Sequence, residues 1–149
     1  MTSSTQISNV VGAITAVLIN ILLIGLFIAR LNHKPRVEHW LGIATILTVF
    51  PLCYLFIAAV RAGRPLLYFL QIGLMILFLF VELMVDYILK IEFRQVPRLV
   101  IPYVMLFFAG TGGMIGVAGQ AGKGWTIGAV LSFLVMAILS FVQRHLTGL

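Results

Sequence analysis

Two carboxylates lie within a stretch of sequence that is otherwise apolar enough to sit in lipid. Residues 80–90 read FVELMVDYILK, in which Glu82 and Asp86 are four positions apart and therefore on one face of a helix. Burial in an apolar environment and a second carboxylate one turn away both disfavour the charged form of such a group. We therefore expect Glu82 to bind a proton near neutral pH, and the two acids together to form a ligand-binding or proton-binding site.

The helical face that carries these acids continues as a polar stripe. At helical steps of three and four residues it reaches back from Glu82 to Gln71. Acids within membrane spans almost always face a bundle interior or a cavity, because an ionised Asp at mid-bilayer costs about 2.5 to 3.5 kcal/mol. The stripe is therefore predicted to line a cavity between helices, with Gln71 and Asn20 as secondary ligand-binding or proton-binding candidates.

Each acid also has a purely structural interpretation. Asp86 precedes Lys90 by four residues, which is the favourable order for an ion pair near the membrane surface. Glu82 lies about 6 Å deeper at 1.5 Å per residue, so its partner must come from another helix, from water or from a ligand. A protonated Glu82 could then hydrogen-bond a polar residue of a neighbouring span. The candidates for that role are Asn20, Thr45, Thr48 and Thr111.

A glycine-rich segment is the second unusual feature. Residues 110–128 read GTGGMIGVAGQAGKGWTIG and hold eight of the fourteen glycines in the chain. The G-x-x-x-G pattern predicts close helix packing, against the fifth span or a second copy of the protein. The alternative is a bent or unwound helix that exposes its backbone to a ligand or ion. The residues concerned are Gly112, Gly113, Gly116 and Gly119.

The elements that must position these residues are membrane-spanning helices. The chain is 62% hydrophobic and only 9% charged, with a mean hydropathy of +1.15, far from the composition of a soluble domain. A helix of about 20 apolar residues crosses a hydrocarbon core. We predict a single domain over residues 1–149, an all-α integral membrane protein folded as a compact bundle of five transmembrane helices. The spans are residues 10–29, 40–60, 66–89, 99–118 and 125–142.

The distribution of cationic residues predicts the orientation of the bundle. Lys and Arg concentrate on the cytoplasmic side of membrane proteins. Counted loop by loop, Arg61, Arg64 and Lys123 lie on one side of the predicted membrane and the other seven cationic residues lie on the opposite side, which we take as cytoplasmic. We therefore expect the N-terminus outside, the C-terminus in the cytoplasm, and a multi-pass protein of the cell membrane. The seven cationic residues on the other side are Arg30, Lys34, Arg36, Lys90, Arg94, Arg98 and Arg144.

Proline and aromatic residues predict details of the spans. Pro51 should kink the second span and leave the carbonyl of Leu47 without its usual donor. Thr45, Thr48 or water could satisfy that carbonyl. Four aromatic residues near the starts of spans are interpreted as interfacial anchors. They are Trp40, Tyr68, Tyr103 and Trp125.

Several kinds of site are not predicted. Residues 119–124 read GQAGKG, which lacks the spacing and hydroxyl of a phosphate-binding loop. Cys53 is the single cysteine, which excludes intrachain disulfides and thiolate metal clusters, and His33 and His39 beside Glu38 make only a weak metal pattern. The cationic residues lie in connectors and at span ends, so nucleic acid is not an expected partner. We predict no metal, no cofactor and no catalytic residues.

These features identify no family, but they favour one function over two alternatives. The leading hypothesis is a small membrane protein that binds or transports a hydrophobic or cationic small molecule, proton-linked through Glu82. The first alternative is a structural or accessory subunit whose glycine-rich face packs on a partner and whose acids pair with a partner's cation. The second is an intramembrane lipid-modifying enzyme that uses Glu82 and Asp86 as acid and base. Membrane lipids and a second copy of the chain are further expected partners.

Overall fold

The computed structural model describes residues 3–147, and these residues form helices and short connectors without a strand. Five helical stretches are long and apolar enough to cross a membrane, so the prediction of an all-helical bundle with five such stretches is confirmed. The helices are α1 (Ser3–Leu31), α2 (Pro35–Leu47), α3 (Val49–Ala62), α4 (Leu66–Glu82), α5 (Pro97–Gly119) and α6 (Lys123–Thr147), with a π-helix over Leu83–Ile88 that continues α4.

The helices extend past the predicted spans at several ends. α1 begins at Ser3 and α6 runs to Thr147, whereas the apolar stretches were residues 10–29 and 125–142. A predicted span ends where polar residues begin. The helix itself ends where its backbone hydrogen bonds end, which can be several polar residues further on. The one span that ends early is the third, because its helix stops at Ile88.

The second span is divided at Thr48 into α2 and α3, three residues before Pro51. Proline cannot donate the hydrogen bond that would continue the ladder to the carbonyl of Leu47. The predicted rescue of that carbonyl by threonine is wrong, because both hydroxyls donate elsewhere. Thr45 donates to the carbonyl of Leu41 at 2.8 Å and Thr48 to that of Thr45 at 2.5 Å.

Helix α1 is the centre of the bundle. It packs against α2 and α3 on one side and α5 and α6 on the other, and it buries residues from Ser8 to Ala29. α6 is the opposite case, since only Ala129, Met136 and Gln143 of its described residues are buried. Most of its apolar side chains therefore face outwards, away from the other helices.

Glycines bring α5 close to α4. A Cβ added to Gly110 would lie 3.3 Å from the Cα of Met75, and one added to Gly113 would lie 3.4 Å from the Cα of Gln71. A Cβ at Gly116 would overlap the side-chain amide of Gln71. Gly110, Gly113 and Gly116 thus pack against the third span, which the sequence did not predict, whereas a Cβ added to Gly112 would lie 3.9 Å from the Phe133 ring of α6, the predicted fifth span. Packing against a second copy stays a prediction. The helix remains continuous through Gly119 instead of unwinding.

Candidate functional site

The two acids lie where the third span changes its helical geometry. Glu82 is the last residue of α4, and Asp86 lies within the π-helix over Leu83–Ile88. The amide of Leu89 then donates to the carbonyl of Met84 at 2.8 Å, a step of five residues. π-helical turns are rare and occur frequently at functional sites. Nothing in the local sequence predicted this one.

Asp86 pairs with Arg94, which lies in the connector between the π-helix and α5. The guanidinium donates to both carboxylate oxygens, at 2.8 and 3.2 Å, and both side chains are about one-fifth exposed (19% and 21%). Burial works against the charge of Arg94, but the hydrogen bonds and charge of Asp86 outweigh it and hold the pKa of Arg94 above its ordinary value.

The predicted ion pair between Asp86 and Lys90 is wrong. The helix ends at Ile88 and Lys90 adopts a left-handed backbone with φ of 52°, so the two residues are not one helical turn apart. The connector instead folds back and places Arg94, eight residues after Asp86, beside the carboxylate. Arg94 was considered only as a residue that sets the membrane orientation.

Glu82 accepts a hydrogen bond from the hydroxyl of Tyr103 on α5. None of the four partners predicted for a structural Glu82 occupies that position, and Tyr103 was interpreted only as an interfacial anchor. Once the helix bounds are known, position along the chain explains this pairing. The third span and α5 are consecutive antiparallel helices, Glu82 lies six residues before the end of the first, and Tyr103 lies six residues after the start of the second. The two residues are therefore at the same depth.

A second polar group joins α1, α2 and α6 near the same end. The guanidinium of Arg30 donates to Glu38 on α2 at 2.8 Å through Nε and 2.6 Å through an Nη, and to the amide oxygen of Gln143 at 3.2 Å. Gln143 is almost fully buried. Arg144, next along α6, donates to the main-chain carbonyl of Arg94 at 3.1 Å, which ties α6 to the connector.

Two cavities open beside these groups. The first, which we name the aromatic chamber, has a volume of about 100 Å³ and lies between α1, α4, α5 and α6. Its charged lining residues are three arginines and Glu82. Its aromatic lining residues are Tyr103 and six phenylalanines, Phe27, Phe78, Phe93, Phe107, Phe108 and Phe141.

The second cavity, which we name the polar basin, has a volume of about 510 Å³. It lies between α1, α2 and the π-helix, and its charged lining includes Glu38, Asp86 and Lys90. The chamber and the basin share Arg30, Glu82 and Arg94. A molecule bound here would therefore meet an apolar environment on one side of Glu82 and a charged one on the other.

The remaining predicted site residues lie away from both cavities. The side-chain amide of Asn20 is buried and donates to Ser132 Oγ at 3.0 Å and to the carbonyl of Ala129 at 3.4 Å, which links α1 to α6. Gln71 packs against Gly113 and Gly116 of α5. Of the four predicted ligand-binding or proton-binding residues, the structure places Glu82 and Asp86 together and gives the other two packing environments.

No family model matches this chain, and no curated protein or solved structure is detectably similar to it. Within residues 3–147, no group of three or more His, Cys, Asp or Glu side chains is arranged to hold a metal ion. His39 instead contacts aromatic residues, with its ring 5.5 Å from that of Tyr87 and 6.1 Å from that of Trp40. The two cavities are therefore the features of the structure that bear on function.

Proposed function

We propose that this chain is an integral membrane protein that binds a hydrophobic or amphipathic small molecule in the aromatic chamber. The observation that carries the proposal is the meeting of an aromatic chamber and a polar basin at Glu82 and Arg94. Ligand sites are typically concave and mostly apolar, with a few convergent polar groups that fix the orientation of the ligand. This end of the bundle has that combination.

Membrane insertion is supported by the outward-facing side chains. Large apolar residues such as Phe50, Leu66, Met105 and Ile138 are more than half exposed, which is unfavourable in water and ordinary in lipid.

The orientation is supported by the seven cationic residues on one side against three on the other. In that orientation the chamber and the basin lie at the cytoplasmic end.

A proton link through Glu82 is part of the proposal. Glu82 lines both cavities and is hydrogen-bonded to Tyr103, so a ligand that enters either cavity meets its carboxyl group. Infrared difference spectroscopy between ligand-free and ligand-bound protein tests this link. A carboxyl band that changes on binding and is missing in Glu82→Gln supports it, whereas an unchanged spectrum contradicts it.

The two alternative functions fit the geometry less well. An accessory subunit would need the acids of the third span free to pair with a partner's cation, but Asp86 pairs with Arg94 and Glu82 accepts a hydrogen bond from Tyr103 within the chain. An acid–base enzyme would need Asp86 free for proton transfer, yet both of its oxygens accept hydrogen bonds from Arg94. The binding hypothesis needs neither acid to leave its partner.

Binding can be tested with octanol, an uncharged molecule with a single short chain. Titrated by calorimetry into the full chain in phosphatidylcholine nanodiscs, it should give saturable binding above that of empty nanodiscs. Ser140 lines the chamber, so Ser140→Phe should fill it and weaken binding by roughly tenfold or more. Ile138→Phe is the matched control, because Ile138 is on the same helix and faces outwards with 62% of its surface exposed.

Each outcome decides the proposal. Loss of saturable octanol binding in Ser140→Phe, with binding retained in Ile138→Phe, supports a ligand site in the chamber. Equal binding by both variants, or octanol binding no greater than that of empty nanodiscs, overturns it. Both variants introduce the same ring at nearby positions of α6, so a general effect of a larger side chain would appear in both.

A further inference from the structure

We propose that the ligand of the aromatic chamber is a small amphipathic anion, with a carboxylate or phosphate held by arginine and a short hydrocarbon or aromatic part among the phenylalanines. This inference rests on the proposed function and narrows it to one class of ligand. The sequence favoured a hydrophobic or cationic molecule, because only the acids of the third span were visible there. The arginines that share the site come from three other parts of the chain.

The charged groups of the chamber favour an anion. Its lining contains three guanidinium groups, those of Arg30, Arg94 and Arg144, and one carboxyl group, that of Glu82. Arginine presents several donors in a planar arrangement that matches carboxylate and phosphate oxygens. Glu38 and Asp86 pair with Arg30 and Arg94, so the groups left to a ligand are Arg144, which has no carboxylate partner among residues 3–147, and Glu82, which already accepts a hydrogen bond from Tyr103. The unpaired guanidinium favours an anion over a cation.

The pairing of those groups identifies the residue that has capacity left for a ligand. Arg30 is engaged by Glu38 and Gln143, and Arg94 by both oxygens of Asp86. Arg144 has no carboxylate partner within residues 3–147, and its guanidinium donates only to a main-chain carbonyl. The anionic group of the ligand is therefore assigned to Arg144, because the charges of the other two arginines are balanced by Glu38 and Asp86.

The aromatic rings do not offer a cage for a cation. The guanidinium of Arg94 already lies 4.8 Å from the centre of the Phe93 ring, and that of Arg30 lies 6.0 Å from the Phe27 ring. The cation–π positions at the polar end of the chamber are thus taken by the protein itself. The remaining rings provide an apolar wall suited to hydrocarbon.

The volume of the chamber limits the size of the apolar part. About 100 Å³ accommodates a short chain or one ring, but not the two acyl chains of a phospholipid. The polar basin of about 510 Å³ opens next to it, but Arg144 lines only the chamber, so the anionic group of the ligand lies at the chamber itself. We therefore assign the site to a single-chain or aromatic acid and not to the head group of a membrane lipid.

Three probes with the same hydrocarbon chain and different charge test the proposal. Octanoate, octanol and octylammonium are titrated by calorimetry into the full chain in phosphatidylcholine nanodiscs, with empty nanodiscs as the blank. Octanoate should bind most tightly, and Arg144→Gln should weaken it by roughly 10- to 100-fold without changing octanol binding. Arg36→Gln is the control, because Arg36 is an exposed cation near the same end that lines neither cavity.

The results separate failure of this inference from failure of the proposed function. Tighter binding of octanol or octylammonium, still lost in Ser140→Phe, would keep the chamber as a ligand site and overturn the anion assignment. The anion assignment is also overturned if Arg36→Gln weakens octanoate as much as Arg144→Gln does. Displacement of octanoate in phosphatidylglycerol nanodiscs would overturn it in favour of a lipid head group as the occupant. If none of the three probes binds, the proposed function fails as well.

Discussion

The hydroxyl of Tyr103 on α5 donates a hydrogen bond to the carboxyl group of Glu82 at the end of α4. The ring of Tyr103 also packs against Phe93, with centroids 4.6 Å apart, and against Phe78 at 5.6 Å. One residue therefore fixes the position of the deeper acid and forms part of the aromatic wall beside it. A change in the hydrogen bonding of Glu82 would act directly on that wall.

Removing this hydrogen bond should destabilise the bundle. Tyr103→Phe keeps the ring and loses the donor, and we expect a loss of about 1 to 3 kcal/mol in the free energy of unfolding, measured by titration with a denaturing detergent. Glu82→Gln keeps an acceptor and should cost less than Glu82→Leu. In a double-mutant cycle, Tyr103→Phe and Glu82→Leu should be coupled by about 0.5 to 3 kcal/mol, and additive effects would contradict a direct interaction.

The Asp86–Arg94 pair should hold the connector against the π-helix. Arg94→Gln or Asp86→Asn alone leaves a partly buried charge without its partner, and each should lower the free energy of unfolding by about 1 to 3 kcal/mol. The exchanged pair Asp86→Arg with Arg94→Asp should recover part of that loss. Lys90→Gln is the control, because an Asp86–Lys90 ion pair, as expected from the sequence, would make it lower the free energy of unfolding as much as Arg94→Gln does. A loss with Lys90→Gln as large as that with Arg94→Gln would contradict the pairing found here.

Close packing of α4 and α5 depends on glycine at the contact. Gly110→Leu would force a side chain against the backbone of Met75 and should destabilise by about 1 to 3 kcal/mol. Gly73→Leu on α4 is the matched control, because no atom lies within 4 Å of an added Cβ there. We expect Gly73→Leu to change stability by no more than about 1 kcal/mol, in the stabilising direction since glycine is a poor helix former. Equal losses of stability in both variants would mean that replacing any glycine by leucine destabilises the bundle, and would contradict a specific packing contact at Gly110.

Asn20 should act in packing and not in ligand binding. Asn20→Ala removes hydrogen bonds to Ser132 and to the carbonyl of Ala129, and it should cost about 0.5 to 1.5 kcal/mol. Octanol should bind this variant, as long as it is folded, with the affinity of the unchanged protein. Weaker octanol binding in folded Asn20→Ala would instead show that Asn20 contributes to the ligand site.

The orientation can be measured by cysteine labelling in intact cells. In a Cys53→Ser background, Lys123→Cys should react with a membrane-impermeant maleimide from outside, whereas Lys34→Cys should react only after the membrane is opened. The physical reason is the excess of Lys and Arg on the side of Lys34. The opposite labelling pattern would place the chamber and the basin on the outer side.

The sequence was sufficient for the large-scale architecture because that architecture depends on composition. An apolar stretch of about 20 residues forms a helix because its backbone polar groups then hydrogen-bond within the stretch. The number and approximate positions of the helices therefore follow from locating these stretches in the sequence. The interruption of the second span near Pro51 could also be predicted, because proline lacks a backbone N–H donor whatever the neighbouring helices are. Among the candidate site residues, the depth of Glu82 and its need for a partner could be stated from the sequence.

The partners of the acids could not be stated, because they are set by which helices touch and by how the connectors fold. Lys90 looked like the partner of Asp86 only if the helix continued, and the helix ends at Ile88. Arg94 reaches Asp86 because the connector turns back.

By itself, therefore, the sequence determined five apolar helices and two acids that require partners, since both follow from the cost of placing polar groups in an apolar environment. Only the tertiary structure decided that these partners are Tyr103 and Arg94, and that arginines from α1, the connector and α6 meet at one chamber. The physical reason is that contacts between distant residues depend on packing, which no local pattern encodes.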